Sequence, residues 1–498
     1  VEGASGAEPR LMGATETKEV KAEHAVARLH ERMGVVAPMA AASPEPMHQH
    51  HRGCIRRSQH APVAAHAHPV PLPRFTPVGT HGGRLESGCL HALKSPDLHY
   101  REGAACLQIG DGFFRRESRP SRDLSVLLAA LQVSQAQRPL RWLDLMAGCG
   151  IRGLRWGLEA RQIAQQQVEL WVNDADPDRG SLLAANLQPL RSASGLTLRT
   201  SHLAAERLLR QAYLDQSFFD LVDLDAFGCP NVLLQSALAV LRFGGVLIVA
   251  STDGRSPTGH DRSAAIRRFG AAARAHPASW ELALRLQLAA IAREAWLLGR
   301  GVEPVACFSD GRTFRLAVRL RHRASAREEE QLGLLARCER CGDQSVQSLL
   351  KLSGWRSCAC EDGLGRWAVT GPLWTGPLQS PLQLQALLDL DPLLPGSLSP
   401  AGRNLLQRLQ QDAGQPVFCW STAELAKRLG IGGPPALAAL VAALRTQGHH
   451  AHASGVMAGQ LRTDAPLAVL LQQCVDLAAE GPSVSYTHLR AHETEENL

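Results

Sequence analysis

Between residues 122 and 320 the apolar positions alternate between two periods. Apolar runs of strand length at 141–145, 168–173, 219–224 and 245–251 are separated by stretches in which apolar residues recur at helical spacing. This alternation predicts a parallel sheet, because parallel neighbours need crossover connections long enough to return over the sheet. A long helical pattern at 279–300 leads into two further strands, 302–308 and 313–320, around Ser309-Asp310-Gly311-Arg312. These predict an antiparallel pair closing the sheet. After the polar stretch 322–331 come a cysteine-rich segment, Cys338 to Cys360, and a mainly helical region, 401–471. In that region Ser421-Thr-Ala-Glu424 reads as a capping box, and the turn at 430–435 leads into a second helix at 436–445. Two helices at that spacing resemble a winged-helix or helix-turn-helix unit, with Leu437, Leu440, Val441 and Leu444 as its core stripe.

The two ends of the chain read differently. Residues 1–98 are rich in His, Pro and Ala without a sustained period, which predicts a disordered or non-native extension. His48, His50, His51, His60, His66 and His68 are too irregularly spaced to predict a metal tract. The chain opens on Val, and its first residues lack the basic start and apolar core of a secretory signal. Residues 484–494, VSYTHLRAHET, differ in composition from all that precedes them, so 483–498 are expected to be an adapter-derived artefact.

Composition narrows the class. The 498 residues, at about 150 per domain, leave room for roughly three domains, and 45% apolar with 20% charged residues excludes disorder throughout. No apolar run approaches the ~18 residues of a bilayer helix, so no membrane contact is expected. The 12 cysteines of a chain without a secretory signal predict a cytoplasmic, reducing setting in which thiols hold metal rather than form disulfides. A net charge of +6 is too mild to identify a nucleic-acid partner. Arginine supplies nearly all of the positive charge and suits phosphate forks if RNA is the partner.

Candidate chemistry sits at the ends of the predicted strands. The first strand runs into Asp144-Leu-Met-Ala-Gly148-Cys-Gly150-Ile-Arg152-Gly, a glycine turn that lets backbone approach a ligand at the carboxyl edge of the sheet. Its spacing does not match the dinucleotide G-x-G-x-x-G. Asp174 ends the second strand, placed to accept from a ribose hydroxyl pair. The pattern Asp-x-x-Ala-Gly-x-Gly followed by such an acid resembles that of S-adenosylmethionine-dependent methyltransferases, and nicotinamide enzymes share the topology. The third cue is Phe219-Asp-Leu-Val-Asp-Leu-Asp225-Ala-Phe227-Gly-Cys-Pro230, a strand delivering a carboxylate and an aromatic ring to the same edge. Methylating an exocyclic base amine needs acceptors for its N–H bonds, because the nitrogen lone pair is delocalised into the ring. Asp225 and the carbonyl of Ala226 suit that role, and Phe227 suits stacking on a base taken out of its helix.

These segments together resemble the tRNA (guanine-26, N2)-dimethyltransferase family, whose signature at this strand is Asp-Pro-Phe-Gly-Ser-Pro; here Ala226 replaces Pro and Cys229 replaces Ser. Further similar segments are Glu102-Gly103, Arg122-Asp-Leu-Ser125, Asn173-Asp174, Ser251-Thr-Asp253, Arg268-Phe-Gly270 and Glu281-Leu-Ala-Leu-Arg285, within about residues 100–470. The resemblance implies S-adenosylmethionine as cofactor, tRNA as partner, Asp225 and Phe227 as catalytic residues, and cofactor contacts from Arg122, Asp144, Gly148, Gly150, Arg152 and Asp174. Both arginines also make sense as forks for a carboxylate. The family's adenine-side Asp-Ala is missing, its place taken by His202-Leu-Ala-Ala-Glu206.

Cys338-Glu-Arg-Cys341 and Cys358-Ala-Cys360 offer four thiolates for a structural, tetrahedral zinc site, although the second pair is one residue shorter than the usual C-x-x-C. The other cysteines, such as Cys149, Cys307 and Cys419, are expected in the core or loops. Residues 371–377 resemble a family linker, and residues 448–466, ending in Arg462-Thr-Asp-Ala-Pro466, resemble the family's closing segment, with polar and basic groups able to contact tRNA.

The expected fold is α/β: a doubly wound, Rossmann-like methyltransferase sheet with an antiparallel closing hairpin, plus a smaller C-terminal zinc-ribbon and winged-helix-like α+β domain. The expected boundaries are 1–98 for the extension, 99–322 for the methyltransferase domain, 323–482 for the zinc- and tRNA-binding domain, and 483–498 for the artefact tail. The expected function is methylation of a tRNA guanine N2. Its alternatives are a DNA or RNA adenine amino-methyltransferase and a catalytically inactive tRNA-binding protein of the same fold.

Overall fold

Helical and extended segments follow the alternation of the sequence closely. The computed structural model describes residues 99–480 apart from Gln165, Arg312 and Glu361, so the histidine tract and the C-terminal adapter-like segment lie outside the described residues. In chain order the strands are β1 (His99–Glu102), β2 (Ala105–Gln108), β3 (Leu140–Asp144), β4 (Val168–Asn173), β5 (Leu196–Ser201), β6 (Phe219–Ala226), β7 (Leu241–Ser251), β8 (Gly301–Ser309) and β9 (Phe314–Arg321). Seven of them form one sheet in the order β5-β4-β3-β6-β7-β9-β8. From β5 to β7 neighbours are parallel, and β9 runs antiparallel to both β7 and β8. The expected closing hairpin is therefore present, inserted so that β9 is the inner strand.

Two elements of this half escaped the hydrophobic pattern. Strand β5 is a half-exposed edge whose residues, Leu196-Thr-Leu-Arg-Thr-Ser201, carry little apolar signal. The hairpin of β1 and β2 has only four residues per strand and alternates buried with exposed positions in β2.

The helix Ser279–Leu297 is apolar around most of its circumference, and a helix of that kind must lie between two layers. It packs on β8 and β9 on one side and on the cysteine-rich sheet on the other. That second sheet has the order β11-β10-β12, from β10 (Leu332–Cys338), β11 (Gln344–Ser348) and β12 (Trp367–Trp374). Past β12 the chain returns to the large sheet. The helices Pro381–Leu390 and Pro400–Asp412 pack on the helix Arg119–Gln135, and their leucines join the same buried cluster as Trp142 and Trp156. The main apolar core thus draws residues from both sides of position 322, and the described residues fall within one compact unit.

The last segment has its own small core around Trp420, Leu425, Leu440, Leu444 and Leu461. It contains β13 (Cys419–Ser421), the helices Thr422–Leu429 and Leu437–Thr446, β14 (Ala451–Ala453), β15 (Gln460–Thr463) and the helix Leu467–Glu480, with the sheet order β13-β15-β14. A helix, a strand, two helices and a two-stranded wing is the winged-helix arrangement expected from the two helices. Leu440 and Leu444 are fully buried, with Leu437 and Val441 packed beside them. The region read as mainly helical at 401–471 holds three short strands as well, each too brief to show a period. The cap forms by halves. Ser421 Oγ accepts from the Glu424 N–H, while the Glu424 carboxylate turns to Arg337 on β10.

Arg462, expected among the groups facing tRNA, is 1% exposed. Its guanidinium pairs with Asp412 and with Glu281 of the long helix. This buried cluster ties the winged-helix segment to the large sheet.

Candidate active site

In a doubly wound sheet the cleft opens at the carboxyl ends of the strands where their order reverses, here between β3 and β6. A cavity of about 570 Å³ lies there, lined by residues that follow β3, β4, β5, β6 and β7 and precede β9.

Its floor is the glycine turn. Gly148 takes φ +58°, a conformation glycine adopts without strain, and a Cβ built there meets nothing within 4 Å. Its N–H donates to Asp174 Oδ2 at 2.8 Å, and Asp174 Oδ1 accepts from the Asp176 N–H at 3.0 Å. Both Gly148 and Asp174 line the cavity. Asn173, one residue earlier, donates to the carbonyls of Leu145 and Leu203 and so ties together the ends of β3, β4 and β5.

Asp144 and Gly150 lie outside the cavity lining. Asp144 is buried beneath the turn, where Oδ2 accepts from the Gly153 N–H at 3.0 Å at the start of the helix Ile151–Leu158. Burial, then the neighbouring Asp223, push its carboxyl up to about 7. Gly150 has φ +81° and caps that helix, with the Leu183 side chain 3.0 Å from where a Cβ would sit.

Arg122 and Arg152 line the cavity, each with carboxylates of the protein already in hand. Arg122 makes a two-pronged pair with Glu102, at 2.8 and 2.7 Å, and lies 4.9 Å from the Phe114 ring centroid. Arg152 reaches the two acids of β6, with Nη1 3.2 Å from Asp223 and Nη2 3.0 Å from Asp225.

Asp225 emerges at the rim with 32% of its side chain exposed. Arg315 on β9 approaches it at 3.5 Å from the side opposite in sequence. Burial raises the Asp225 carboxyl, but Arg315 and Arg152 outweigh it and hold the group below the ordinary carboxylate range. Asp223, one turn of the pleat deeper, is pushed up by burial. The two acids of one strand are thereby set apart, the outer one held below the ordinary carboxylate range and the inner one raised to about 6.

Phe227 stands at the mouth, 78% exposed, and meets Phe113 edge to face with centroids 5.7 Å apart. Two large aromatic rings left in solvent beside a charged cavity form a surface on which a flat, partly polar ring can stack. Phe113 and Arg315 were not singled out in the sequence. A lone arginine in the apolar strand Phe314-Arg-Leu-Ala-Val318 was the available signal for the second, and two adjacent aromatics in a glycine-containing loop for the first.

A profile of the N2,N2-dimethylguanosine tRNA methyltransferase family matches residues 106–474. The chain belongs to that family. Among relatives, the tRNA (guanine(26)-N(2))-dimethyltransferase of Methanoculleus marisnigri is 28% identical over 379 residues, covering 76% of this chain and 94% of that protein. The enzyme of the same name from Pyrococcus abyssi is 26% identical over 373 residues, covering 72% and 91% respectively. The solved structure of Trm1 from Pyrococcus horikoshii in complex with S-adenosyl-L-methionine superposes with a TM-score of 0.65 at 23% identity, covering 75% of this chain and 99% of that one, and shows the shared fold.

This family member also carries the expected cysteine cluster. The sulfurs of Cys338, Cys341, Cys358 and Cys360 all lie within 4.8 Å of one another. A tetrahedral zinc with bonds of about 2.3 Å sets its sulfurs about 3.8 Å apart, and Cys338 Sγ and Cys360 Sγ are 3.8 Å apart. Gly365 closes the group. A Cβ there would sit 2.3 Å from Cys338 Sγ and 2.5 Å from Cys358 Sγ. Main-chain N–H groups, that of Cys360 first, lower the Cys358 thiol to about 7, while burial and the neighbouring sulfurs push the Cys360 thiol up to about 12. The shortened Cys-x-Cys spacing is therefore compatible with a four-sulfur site. Cys307 and Cys419 are core residues, and Cys149 lines the main cavity.

Proposed function

We propose that the chain transfers methyl groups from S-adenosylmethionine to the exocyclic amino group of the guanine at tRNA position 26, with the chemistry centred on Asp225. The observation that carries this reading is a single cavity lined both by the open Gly148–Asp174 turn and by Asp225 beside an exposed Phe227.

S-adenosylmethionine supplies an electrophilic methyl group on its sulfonium. Asp174 is placed for the ribose hydroxyls, and Gly148 allows close approach of the cofactor to the backbone. Arg122 brings a cationic edge to the cavity, shared with Glu102. Arg152 acts through Asp225, which it holds in place, and Asp144 and Gly150 support the turn from behind. Asp225 and the Ala226 carbonyl accept the two N–H bonds of the guanine amine, with Phe227 stacked on the base. An Asp225 carboxylate held ionised is a weak base. It suffices because the amine nitrogen turns cationic as the methyl arrives, and its proton then leaves readily.

Residues 99–322 are read as the methyltransferase unit and 323–482 as the unit that binds zinc and holds tRNA in a cytoplasmic, reducing compartment. Cys338, Cys341, Cys358 and Cys360 would hold that zinc as a closed structural ion. No helix among the described residues is long and apolar enough to cross a membrane.

The test is Asp225→Ala. Methyl transfer to unmodified tRNA is expected to fall by at least about 10², while the Kd for S-adenosylmethionine changes less than about threefold. Loss of both together assigns Asp225 to the fold or the cofactor site instead.

A further inference from the structure

A second cavity, of about 520 Å³, shares the Phe227 wall with the first. It continues along the Phe227-Gly-Cys turn and is lined by Asn231, Val232, Arg267, Arg268 and Arg293, with Glu294 as the only acid among its lining residues. Three guanidiniums against one carboxylate leave the lining cationic. The helix Arg262–Phe269 ends at Gly270, and a helix end attracts arginines by itself. That accounts for residue type but not for an open cavity beside the proposed base site.

The arginines differ in their commitments. Arg268 Nη1 is held by Asp253 Oδ2 at 2.6 Å and by Ser256, in the loop that follows β7. Arg293 donates to the Phe269 carbonyl, and its Nε is buried without a hydrogen-bond partner. Arg267 is exposed and makes no hydrogen bond or ion pair among the described residues. Val232, 84% exposed, adds an apolar side chain to the same lining.

We propose that this cavity receives the nucleotide adjoining the target guanine, its phosphate on Arg267 and Arg293 and its base against Val232. The inference rests on the function proposed above. A base turned out of its helix onto Phe227 carries its neighbours' phosphates within one nucleotide length, which is the far side of the same ring. Single-stranded RNA is held in this way, by cations tracking the backbone and apolar or planar surfaces beneath displaced bases. A cavity of this size accommodates a nucleotide.

The test measures tRNA affinity by filter binding together with kcat, KM and the Kd for S-adenosylmethionine. Arg267→Glu is expected to raise the tRNA Kd and KM on the order of tenfold and to flatten the log–log salt dependence by about one, with kcat at saturation and cofactor affinity unchanged. Glu294→Gln is expected to tighten tRNA binding. A synthetic tRNA with a neutral methylphosphonate beside the target guanine should bind the wild type more weakly and Arg267→Glu no worse than before. If the wild type methylates tRNA while Arg267→Glu binds it within twofold of wild type, or if the methylphosphonate penalty is the same in both proteins, this inference is overturned and the proposed function stands. If the wild type neither binds nor methylates tRNA, the functional reading fails and this one with it.

Discussion

Asp225 owes its character to two arginines from distant parts of the chain, Arg152 after the glycine turn and Arg315 on the closing hairpin. Each stabilises the carboxylate against the burial that would otherwise protonate it. Removing Arg315 should let the Asp225 pKa rise, so in Arg315→Gln the acidic limb of the kcat profile is expected to move toward neutral pH, with cofactor Kd little changed. A purely structural role for Arg315 would lower activity without moving that limb. Asp144 shows the opposite case. Burial and Asp223 raise it to about 7 in the folded state, against about 3.9 for an unfolded Asp. The folded protein then binds an extra proton between those values, so this group makes stability fall as pH rises from about 4 through 7 and leaves it flat above. Thermal unfolding at pH 5 and pH 8 should differ less in Asp144→Asn than in the wild type. An unchanged difference would show that Asp144 does not bind that proton.

At the scale of elements, legibility followed the strength of the local signal. Strands β3, β4, β6 and the core of β7 were readable because parallel strands buried on both faces are nearly continuous apolar runs. Strand β5 and the strands of the winged-helix segment were not, being edges or only three to four residues long. The glycine turn and the acids at the carboxyl ends of β4 and β6 could be placed from sequence because topology brings strand ends to one edge. Arg315 and Phe113 could not, since their partners lie 90 and 114 residues away. Arg462 misled for a related reason: its two acids come from other elements, and nothing local marks it as buried. The four cysteines were legible as a group, and the structure adds Gly365, where any side chain would crowd their sulfurs. Gly365→Ala places a methyl group among the sulfurs, so the purified variant is expected to carry well under one zinc per chain by elemental analysis, against about one in the wild type. Equal zinc in both would remove Gly365 from the account.

At the scale of the molecule, the winged-helix segment keeps a small core of its own, while the two larger apolar clusters each draw on residues before and after position 322. The helices Pro381–Leu390 and Pro400–Asp412 return from the cysteine-rich segment to the large sheet, and the Arg462 cluster fastens the winged-helix segment to the helix Ser279–Leu297. The proposed tRNA-binding segments are thus built into the same compact unit as the cavity. That continuity was not visible in the sequence, where the segments look like successive domains. It suits an enzyme that must present one base of a large folded RNA to a fixed carboxylate. The most direct test of the central claim is to incubate the protein with labelled S-adenosylmethionine and unmodified tRNA, digest the RNA to nucleosides and identify the labelled one by mass spectrometry. Label in N2-methylguanosine or N2,N2-dimethylguanosine is the expected result; label in adenosine, or tRNA that binds and stays unlabelled, would contradict the account.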